Sequence, residues 1–227
     1  MTKSLTNGKI MSIVNKDVQH FINSMYSLPL GKLAELQKYA LDNNFPIIDN
    51  ETANFLSTMI LLTQPQKILE VGCCIGFSAC LMASLINDEG HVTTIDRYPL
   101  MIGRAKETFK NLAFENKITL IEGSAIDALQ DLVNENAVFD FIFLDASKGQ
   151  YKNFLPLLLQ LLKEKGVLLA DNVLQNGDIA KDRSEIIKDQ RTIHKNMREY
   201  LQMITNTQGL QSSIIPIGDG LALTVKL

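Results

Sequence analysis

Short apolar runs alternate with segments of helical spacing through most of the chain. The apolar runs cover residues 67–71, 91–95, 118–121, 139–144 and 167–170. Between them, segments such as 78–86 and 100–112 carry apolar residues at the spacing of an amphipathic helix. Strands that are apolar on both faces and separated by helices are typical of a parallel sheet covered on both sides. The pattern therefore predicts an α/β fold.

The two ends of the chain differ from this middle part. Before residue 63 the pattern is helical, with a predicted helix after Gly31 and another over 51–62, where Asp49 and Asn50 stand in capping position. At the other end, two β-rich runs flank Gly218-Asp219-Gly220, which predicts a hairpin. We expect a single domain over residues 1–227, with a helical cap at 1–63 and an α/β core at 64–227.

Composition narrows the class of protein. The chain has 227 residues, of which 46% are hydrophobic and 21% charged, as in globular proteins. No apolar run is long enough to span a membrane, and the first residues lack the apolar core of a signal peptide, so we expect a cytoplasmic protein. The net charge of −3 argues against a surface that binds nucleic acid throughout, although a local basic patch stays possible.

Three cysteines stand close together, at Cys73, Cys74 and Cys80. A zinc site would need a fourth ligand, and the three histidines are scattered at positions 20, 91 and 194. We therefore expect reduced, buried thiols.

Small and acidic residues follow the first three predicted strands. Gly72 and Gly76 would let the backbone turn tightly and approach a ligand. Asp96, about twenty residues farther on, ends the second strand and has the chemistry to accept hydrogen bonds from ribose hydroxyls. Ser124 follows the third strand, where a small polar residue suits an adenine edge. Each position also has a structural interpretation: the glycines as a plain turn, Asp96 and Ser124 as helix caps.

Oxygen ligands follow the fourth and fifth predicted strands. Asp145 comes directly after the fourth strand, and Asp171 and Asn172 follow the fifth. If the two strands are neighbours, these side chains meet at one edge of the sheet. Two carboxylates and an amide suit Mg²⁺, with Mn²⁺ and Ca²⁺ as alternatives. The competing interpretation is that all three residues only cap the following helices.

These motifs resemble those of a known enzyme family. E-x-G-x-x-x-G-x-S at 70–78, D-A-x-K-x-x-Y at 145–151 and A-D-N-V-L at 170–174 are similar to the catechol and caffeoyl-CoA type O-methyltransferases. The resemblance covers about residues 30–227. It implies the Rossmann-like class I methyltransferase fold, with a mostly parallel seven-stranded sheet and a C-terminal antiparallel hairpin. It also implies S-adenosylmethionine as methyl donor and a homodimer.

The resemblance assigns roles to individual residues. It places Lys148 where the family has its general base, although a solvated surface lysine is the alternative interpretation. Asp145 is implied as the second catalytic residue. Position 124 is Asp in many relatives and Ser here, which weakens the adenine contact. The implied ligands of S-adenosylmethionine are Ile48 (through its backbone), Glu70, Gly72, Gly76, Ser78, Asp96, Ser124, Ala125 and Asp145, and those of Mg²⁺ are Asp145, Asp171 and Asn172.

The acceptor of the methyl group is predicted less directly. F-P-I-I at 45–48, K-G-Q-Y-K-N-F at 148–154 and I-I-P-I-G-D-G-L-A at 214–222 resemble the bacterial tRNA 5-hydroxyuridine methyltransferases. That resemblance implies methylation of the wobble uridine in the tRNA anticodon loop to 5-methoxyuridine. A small catechol-like phenol is the alternative, because its two oxygens are adjacent like those of 5-hydroxyuridine. A non-catalytic module that binds S-adenosylmethionine or RNA fits poorly, since it has no use for Lys148 and the metal ligands.

A basic segment favours the RNA acceptor. Residues 181–198 contain six basic and three acidic residues. Four of the basic residues recur at helical spacing and form a predicted basic stripe that would contact RNA phosphates: Lys188, Arg191, Lys195 and Arg198. The apolar residues on the other face of the same predicted helix should face the core: Ile193, Met197, Tyr200 and Ile204. A solvated helix face with no partner remains the alternative interpretation.

Overall fold

The chain forms a seven-stranded sheet with helices on both faces. The computed structural model describes residues 14–26, 29 and 31–227. The strands lie in the order β3-β2-β1-β4-β5-β7-β6; β1 to β5 are parallel, and β7 pairs antiparallel with both β5 and β6. In chain order the elements are α1 Lys16–Met25, α2 Lys32–Asp42, α3 Asn50–Thr63, β1 Lys67–Val71, α4 Phe77–Leu85, β2 His91–Asp96, α5 Pro99–Asn111, β3 Ile118–Glu122, α6 Ala125–Asn134, β4 Phe139–Leu144, α7 Tyr151–Leu161, β5 Leu162–Ala170, α8 Arg191–Asn206, β6 Leu210–Ile215 and β7 Leu221–Lys226. The predicted parallel sheet and C-terminal hairpin are confirmed.

The sheet is buried on both faces because its central strands carry apolar residues on both sides. In β4, Phe141 and Phe143 pack with α3, α4 and α5, while Ile142 and Leu144 pack on the opposite face with α6, α7 and α8. All four side chains are fully buried. Central strands of this kind form the continuous apolar runs seen in the sequence.

One strand is longer than predicted. β5 begins at Leu162, which pairs with Phe139, and not at residue 167. Lys163, Glu164 and Lys165 follow Leu162 and are exposed, so they interrupt the apolar pattern that marks the rest of the strand. The register between β4 and β5 also shifts between Phe139 and Phe141.

The strand order creates a crevice at the carboxyl ends of β1 and β4. β2 and β3 lie on one side of β1, whereas β4 and β5 lie on the other, so the connections leave the sheet in opposite directions. Ligands of doubly wound sheets bind at such a switch point. The backbone continues its pairing there, since Asp145 N donates to Val71 O over 3.0 Å and Gly72 N donates to Ile95 O over 3.0 Å.

The helices before β1 reach the C-terminal hairpin. Glu51 at the start of α3 accepts a hydrogen bond from Asn23 of α1 and another from the backbone of Gly218 in the β6–β7 turn. Phe21 and Met25 of α1 are exposed, at 64% and 68%. The predicted division into cap and core stays a prediction, as does the homodimer. The first residues, on which the signal-peptide prediction depends, lie outside the described part of the chain.

Within the described residues, none of the helices has the length and apolar character that crossing a membrane requires.

Candidate active site

A cavity of about 890 Å³ opens at the carboxyl ends of β1, β2, β3 and β4. The cavity therefore includes the switch point of the sheet between β1 and β4. Seven of the residues predicted to bind S-adenosylmethionine line it: Ile48, Gly72, Ser78, Asp96, Ser124, Ala125 and Asp145.

Gly72 forms the closest approach between two strand ends. Its φ is +103°, and a Cβ at this position would overlap the carbonyl oxygen of Asp145. A side chain is therefore excluded on two grounds, the backbone conformation and the space. The glycine lets the first turn pack directly on the end of β4, so Asp145 lies at the cavity wall.

Asp96 ties the end of β2 to that same turn. Its Oδ2 accepts hydrogen bonds from the backbone N–H groups of Cys73 and Cys74 at 3.1 and 2.9 Å. Its Oδ1 accepts from the backbone of Arg97 and Tyr98 at 2.7 and 2.9 Å. The carboxylate is thus fixed beside the cavity, and ribose hydroxyls would share its oxygens with these backbone donors.

Glu70 and Gly76 do not line the cavity, so the structure does not place either beside the space predicted for S-adenosylmethionine. Glu70 is fully buried beneath the turn and accepts hydrogen bonds of 2.5 Å from Ser78 and Thr94. Burial raises the pKa of Glu70 to about 7, although the two hydroxyl donors oppose the shift. Gly76 has a φ of +86°, and a Cβ there would lie 2.6 Å from the ring of Phe109. Both residues support the turn from the side that does not face the cavity.

Ser124 and Cys74 line the cavity with polar atoms. Ser124 occupies the cap position of α6, but its side chain makes no capping hydrogen bond. The hydroxyl is therefore not used as a helix cap. The three cysteines are free thiols, as predicted, but Cys74 is only partly buried. Its Sγ lies 4.0 Å from the sulfur of Met101.

Two carboxylates lie side by side at the edge between β4 and β5, which are neighbours as the metal hypothesis required. Asp171 N donates to Leu144 O over 2.9 Å, which brings Asp171 beside Asp145. Burial raises the pKa of Asp145 to about 6, and the nearby charge of Lys148 opposes this shift. Burial, together with the charge of Asp145, raises the pKa of Asp171 well above its usual range.

This pair fits a hard divalent cation. A cation would relieve the repulsion between two partly desolvated carboxylates, and carboxylate oxygens are the ligands that Mg²⁺ prefers. Asn172 has a φ of +56°, in the left-handed region, and its backbone N–H donates to Oδ1 of Asp171 over 2.6 Å. The described residues contain no cluster of three or more His, Cys, Asp and Glu side chains placed to bind a metal; the proposed set has two carboxylates and one amide.

Lys148 reaches this edge from the 3₁₀ turn Lys148–Gln150 and is not a free surface lysine. Its Nζ lies 3.2 Å from Oδ2 of Asp219, and its side chain is 35% exposed. The sequence predicted only a hairpin turn at Asp219 and did not identify it as a site residue. No signal in the sequence relates the two residues, because they are 71 positions apart.

Tyr151 is a second residue whose role the sequence did not reveal. It is fully buried, and its hydroxyl lies 3.2 Å from Leu144 O and 3.0 Å from Asp171 O, accepting in turn from Ala146 N. The phenol therefore ties together the ends of β4 and β5. Its place in the D-A-x-K-x-x-Y motif was the available signal.

The predicted basic stripe is not a uniform solvated face. Arg191 donates to the carbonyls of Ile186 and Ser184, and Arg198 donates to those of Ile179 and Lys181. Lys188 lies before α8 in a 3₁₀ turn, and Lys195 lies 3.6 Å from Glu199. The two arginines thus hold the loop that precedes α8. The buried face of α8 is as predicted, with Met197, Tyr200 and Ile204 fully buried, and it also contains His194.

The geometry agrees with the comparisons to known proteins. The model of an O-methyltransferase family matches residues 24–227. The chain belongs to this O-methyltransferase family. A protein of Arabidopsis thaliana, provisionally assigned as a caffeoyl-CoA O-methyltransferase, is 30% identical over 194 residues, or 86% of this chain and 83% of the relative.

Solved structures of other proteins described as O-methyltransferases have the same fold. A Staphylococcus aureus structure, also provisionally assigned as a caffeoyl-CoA O-methyltransferase, has a TM-score of 0.81 and 31% identity, covering 93% of this chain and 98% of that one. An O-methyltransferase from Bacillus cereus in complex with SAH has a TM-score of 0.80 at 22% identity, covering 93% and 97% of the two chains. The predicted family, class I methyltransferase fold and enzymatic class are confirmed.

Proposed function

We propose that this S-adenosylmethionine-dependent O-methyltransferase methylates a hydroxyl group that has a second oxygen beside it. The observation that supports this acceptor chemistry is the pair Asp145 and Asp171, which meets Lys148 at the rim of the cofactor cavity. A site with two carboxylates and one amine suits an acceptor that must be chelated and deprotonated.

The residues of the cavity would hold the donor in a fixed orientation. Asp96 would accept from the ribose hydroxyls, and Ser124 and Ala125 would border the adenine. Gly72 and Asp145 would place the sulfonium end of the cofactor next to the acceptor edge. This is the region at the ends of β4 and β5 that contains Asp145, Lys148, Asp171 and Asn172. Holding donor and acceptor in line supplies up to roughly 7 kcal/mol of the barrier reduction in well-oriented reactions.

Asp145, Asp171 and Asn172 would hold Mg²⁺, which supplies a Lewis acid for the two acceptor oxygens when bound. Lys148 lies beside these residues, where its amine in the neutral form would accept a hydrogen bond from the acceptor hydroxyl and take its proton to become the ammonium ion. Asp219 is the partner that Lys148 has in the structure.

The acceptor is most simply a small catechol-like or phenolic molecule. The relatives are described as caffeoyl-CoA O-methyltransferases, which supports a small phenolic substrate. The wobble 5-hydroxyuridine of tRNA is the second candidate, since the motifs around Phe45, Lys148 and Ile214 resemble those of the tRNA 5-hydroxyuridine methyltransferases. Lys188 and Lys195 remain exposed for RNA phosphates, whereas Arg191 and Arg198 bind the neighbouring loop.

Methyl transfer to the two acceptor classes is the deciding measurement. The purified enzyme is incubated with labelled S-adenosylmethionine and Mg²⁺, together with either caffeoyl-type catechols or tRNA that carries 5-hydroxyuridine. Transfer to the catechol alone supports the small-molecule reading, and formation of 5-methoxyuridine supports the tRNA reading. Transfer should stop when EDTA is added and return with excess Mg²⁺. Full activity in EDTA would contradict the metal assignment, and no transfer to either acceptor would refute the proposed acceptor chemistry.

A further inference from the structure

The ion pair between Lys148 and Asp219 joins two distant parts of the chain at the acceptor edge. Nζ of Lys148 lies 3.2 Å from Oδ2 of Asp219. The Asp219 side chain is only 14% exposed, so water competes little for its oxygens. Exposed ion pairs contribute little, but a shielded one restricts a flexible lysine effectively.

Asp219 is itself held by the segment that follows β5 and the second carboxylate, Asp171. Its Oδ1 accepts a hydrogen bond from the backbone N–H of Asn176. Its carbonyl accepts from Leu174 N over 2.9 Å, and the carbonyl of Gly220 accepts from Val173 N over 3.0 Å. The β6–β7 turn is therefore attached directly to the segment that follows Asp171 and Asn172.

The same turn is fixed from its other side by the helices before β1. Glu51 is 5% exposed and accepts from Gly218 N over 3.3 Å and from Asn23 over 2.7 Å. Gly218 has a φ of +55°, and a Cβ there would overlap the carboxylate of Asp49. The turn is therefore held from both sides, which restricts the position of Asp219.

We propose that Asp219 is a positioning residue that holds the Lys148 amine at the acceptor oxygen. Lysine has four rotatable side-chain bonds, so an unpaired amine would spend little time at one location. The rigid turn converts Lys148 into a group with a defined position beside Asp145 and Asp171. This inference rests on the proposed function, which gives Lys148 its contact with the acceptor.

Asp219→Asn tests this role because it keeps the size of the side chain and removes its charge. We expect kcat to fall roughly 10- to 100-fold, as for other residues that orient a catalytic group. KM for the acceptor and Kd for S-adenosylmethionine should change less than about twofold. Asp219→Glu should recover part of kcat, since it restores a carboxylate. The matched control is Asp42→Asn, which removes the carboxylate partner of Lys38, an exposed pair on α2 of which neither residue lines the cavity.

An acceptor-independent measurement accompanies the kinetics. Lysines are dimethylated with carbon-13 formaldehyde, and the Lys148 signal is identified by its loss in Lys148→Arg. We expect Asp219→Asn to move that signal towards those of free lysines, and Asp42→Asn to leave it in place. An unmoved signal, an unchanged kcat, or a parallel loss of cofactor binding and folding would each overturn the proposal. If the wild-type enzyme methylates neither acceptor, the proposed function fails, while this signal still decides whether the pair exists.

Discussion

Acidic side chains in two regions of the active site differ in how well their charge is compensated. The cofactor side contains Asp96 and Glu70, and the acceptor edge contains Asp145 and Asp171. On the cofactor side, the acidic groups are satisfied by the protein, since Asp96 accepts from four backbone N–H groups and Glu70 from two hydroxyls. At the acceptor edge, Asp145 and Asp171 repel each other, and the charge of Lys148 only partly compensates. Carboxylates whose hydrogen bonds are all made by the protein form a rigid wall for the cofactor. Carboxylates whose negative charge is not compensated favour the binding of a cation and can polarise a substrate.

Removing the Asp145 side chain should have the largest effect, a loss of activity without a loss of stability. For Asp145→Ala we expect kcat/KM to fall on the order of 1,000-fold, about 4 kcal/mol, because a group at both the cofactor and the proposed metal is lost. The free energy of unfolding should not fall, since the substitution relieves the repulsion on Asp171. Methyl-transfer kinetics and urea unfolding measure the two quantities. Asp88→Ala, an exposed loop carboxylate, is the control; a destabilised Asp145→Ala would contradict the description of the acceptor edge.

Glu70, on the cofactor side, should make the free energy of unfolding depend on pH. Because the folded-state pKa of Glu70 is raised to about 7 from an ordinary value of 4.5, the folded protein holds this proton more tightly than the unfolded chain does. The free energy of unfolding should therefore fall as the pH rises through this window, with the full loss reached above pH 7. Glu70→Gln stays neutral and should remove this loss, which is on the order of 3 kcal/mol.

The measurement is urea unfolding of both proteins between pH 4.5 and pH 8. The stability of Glu70→Gln relative to wild type should grow with pH, because only the wild type has to ionise a buried carboxyl group. A difference that is constant over this range would show that Glu70 titrates at its ordinary pKa.

The same two regions differ in how much the sequence could predict. Asp96 and Gly72 were found because they stand directly at strand ends, and periodicity locates those ends. Ser78 was implied only by the resemblance to the O-methyltransferases. The convergence of Asp145 and Asp171 followed from one assumption, that β4 and β5 are neighbours. Asp219 was missed because its partner is 71 residues away and depends on how the hairpin packs.

Local pattern also failed where backbone groups are the partners. The arginines of the predicted basic stripe have the spacing of a solvated helix face, but Arg198 donates to carbonyls of a loop whose path the sequence does not specify. Likewise, Glu70 and Gly76 belong to the cofactor motif but support the turn from behind. Sequence pattern identifies which residues lie near a site, and packing decides which of them face it.

Gly72→Ala should damage the contact between the two regions. The new Cβ would overlap the Asp145 carbonyl at a φ of +103°, so we expect the free energy of unfolding to fall by roughly 2 kcal/mol or more. Gly103→Ala is the matched control, since a Cβ at that helical position meets no atom within 4 Å, and it should stabilise by about 0.5 to 1 kcal/mol. Thermal unfolding of both variants checks this, and equal effects would disprove the close approach.

The smallest expected effect separates the two roles within the basic stripe. Arg198→Ala removes hydrogen bonds to the carbonyls of Ile179 and Lys181 and should lower the free energy of unfolding by about 1 kcal/mol, with faster amide exchange in residues 174–187. Lys188→Ala combined with Lys195→Ala should leave that exchange unchanged, because neither lysine donates to the loop backbone among the described contacts. If tRNA is the acceptor, the double lysine variant should still raise KM for tRNA, and a catechol acceptor should show no change. Slower methylation of tRNA by Arg198→Ala alone, with unaltered exchange, would instead return Arg198 to the RNA-binding surface.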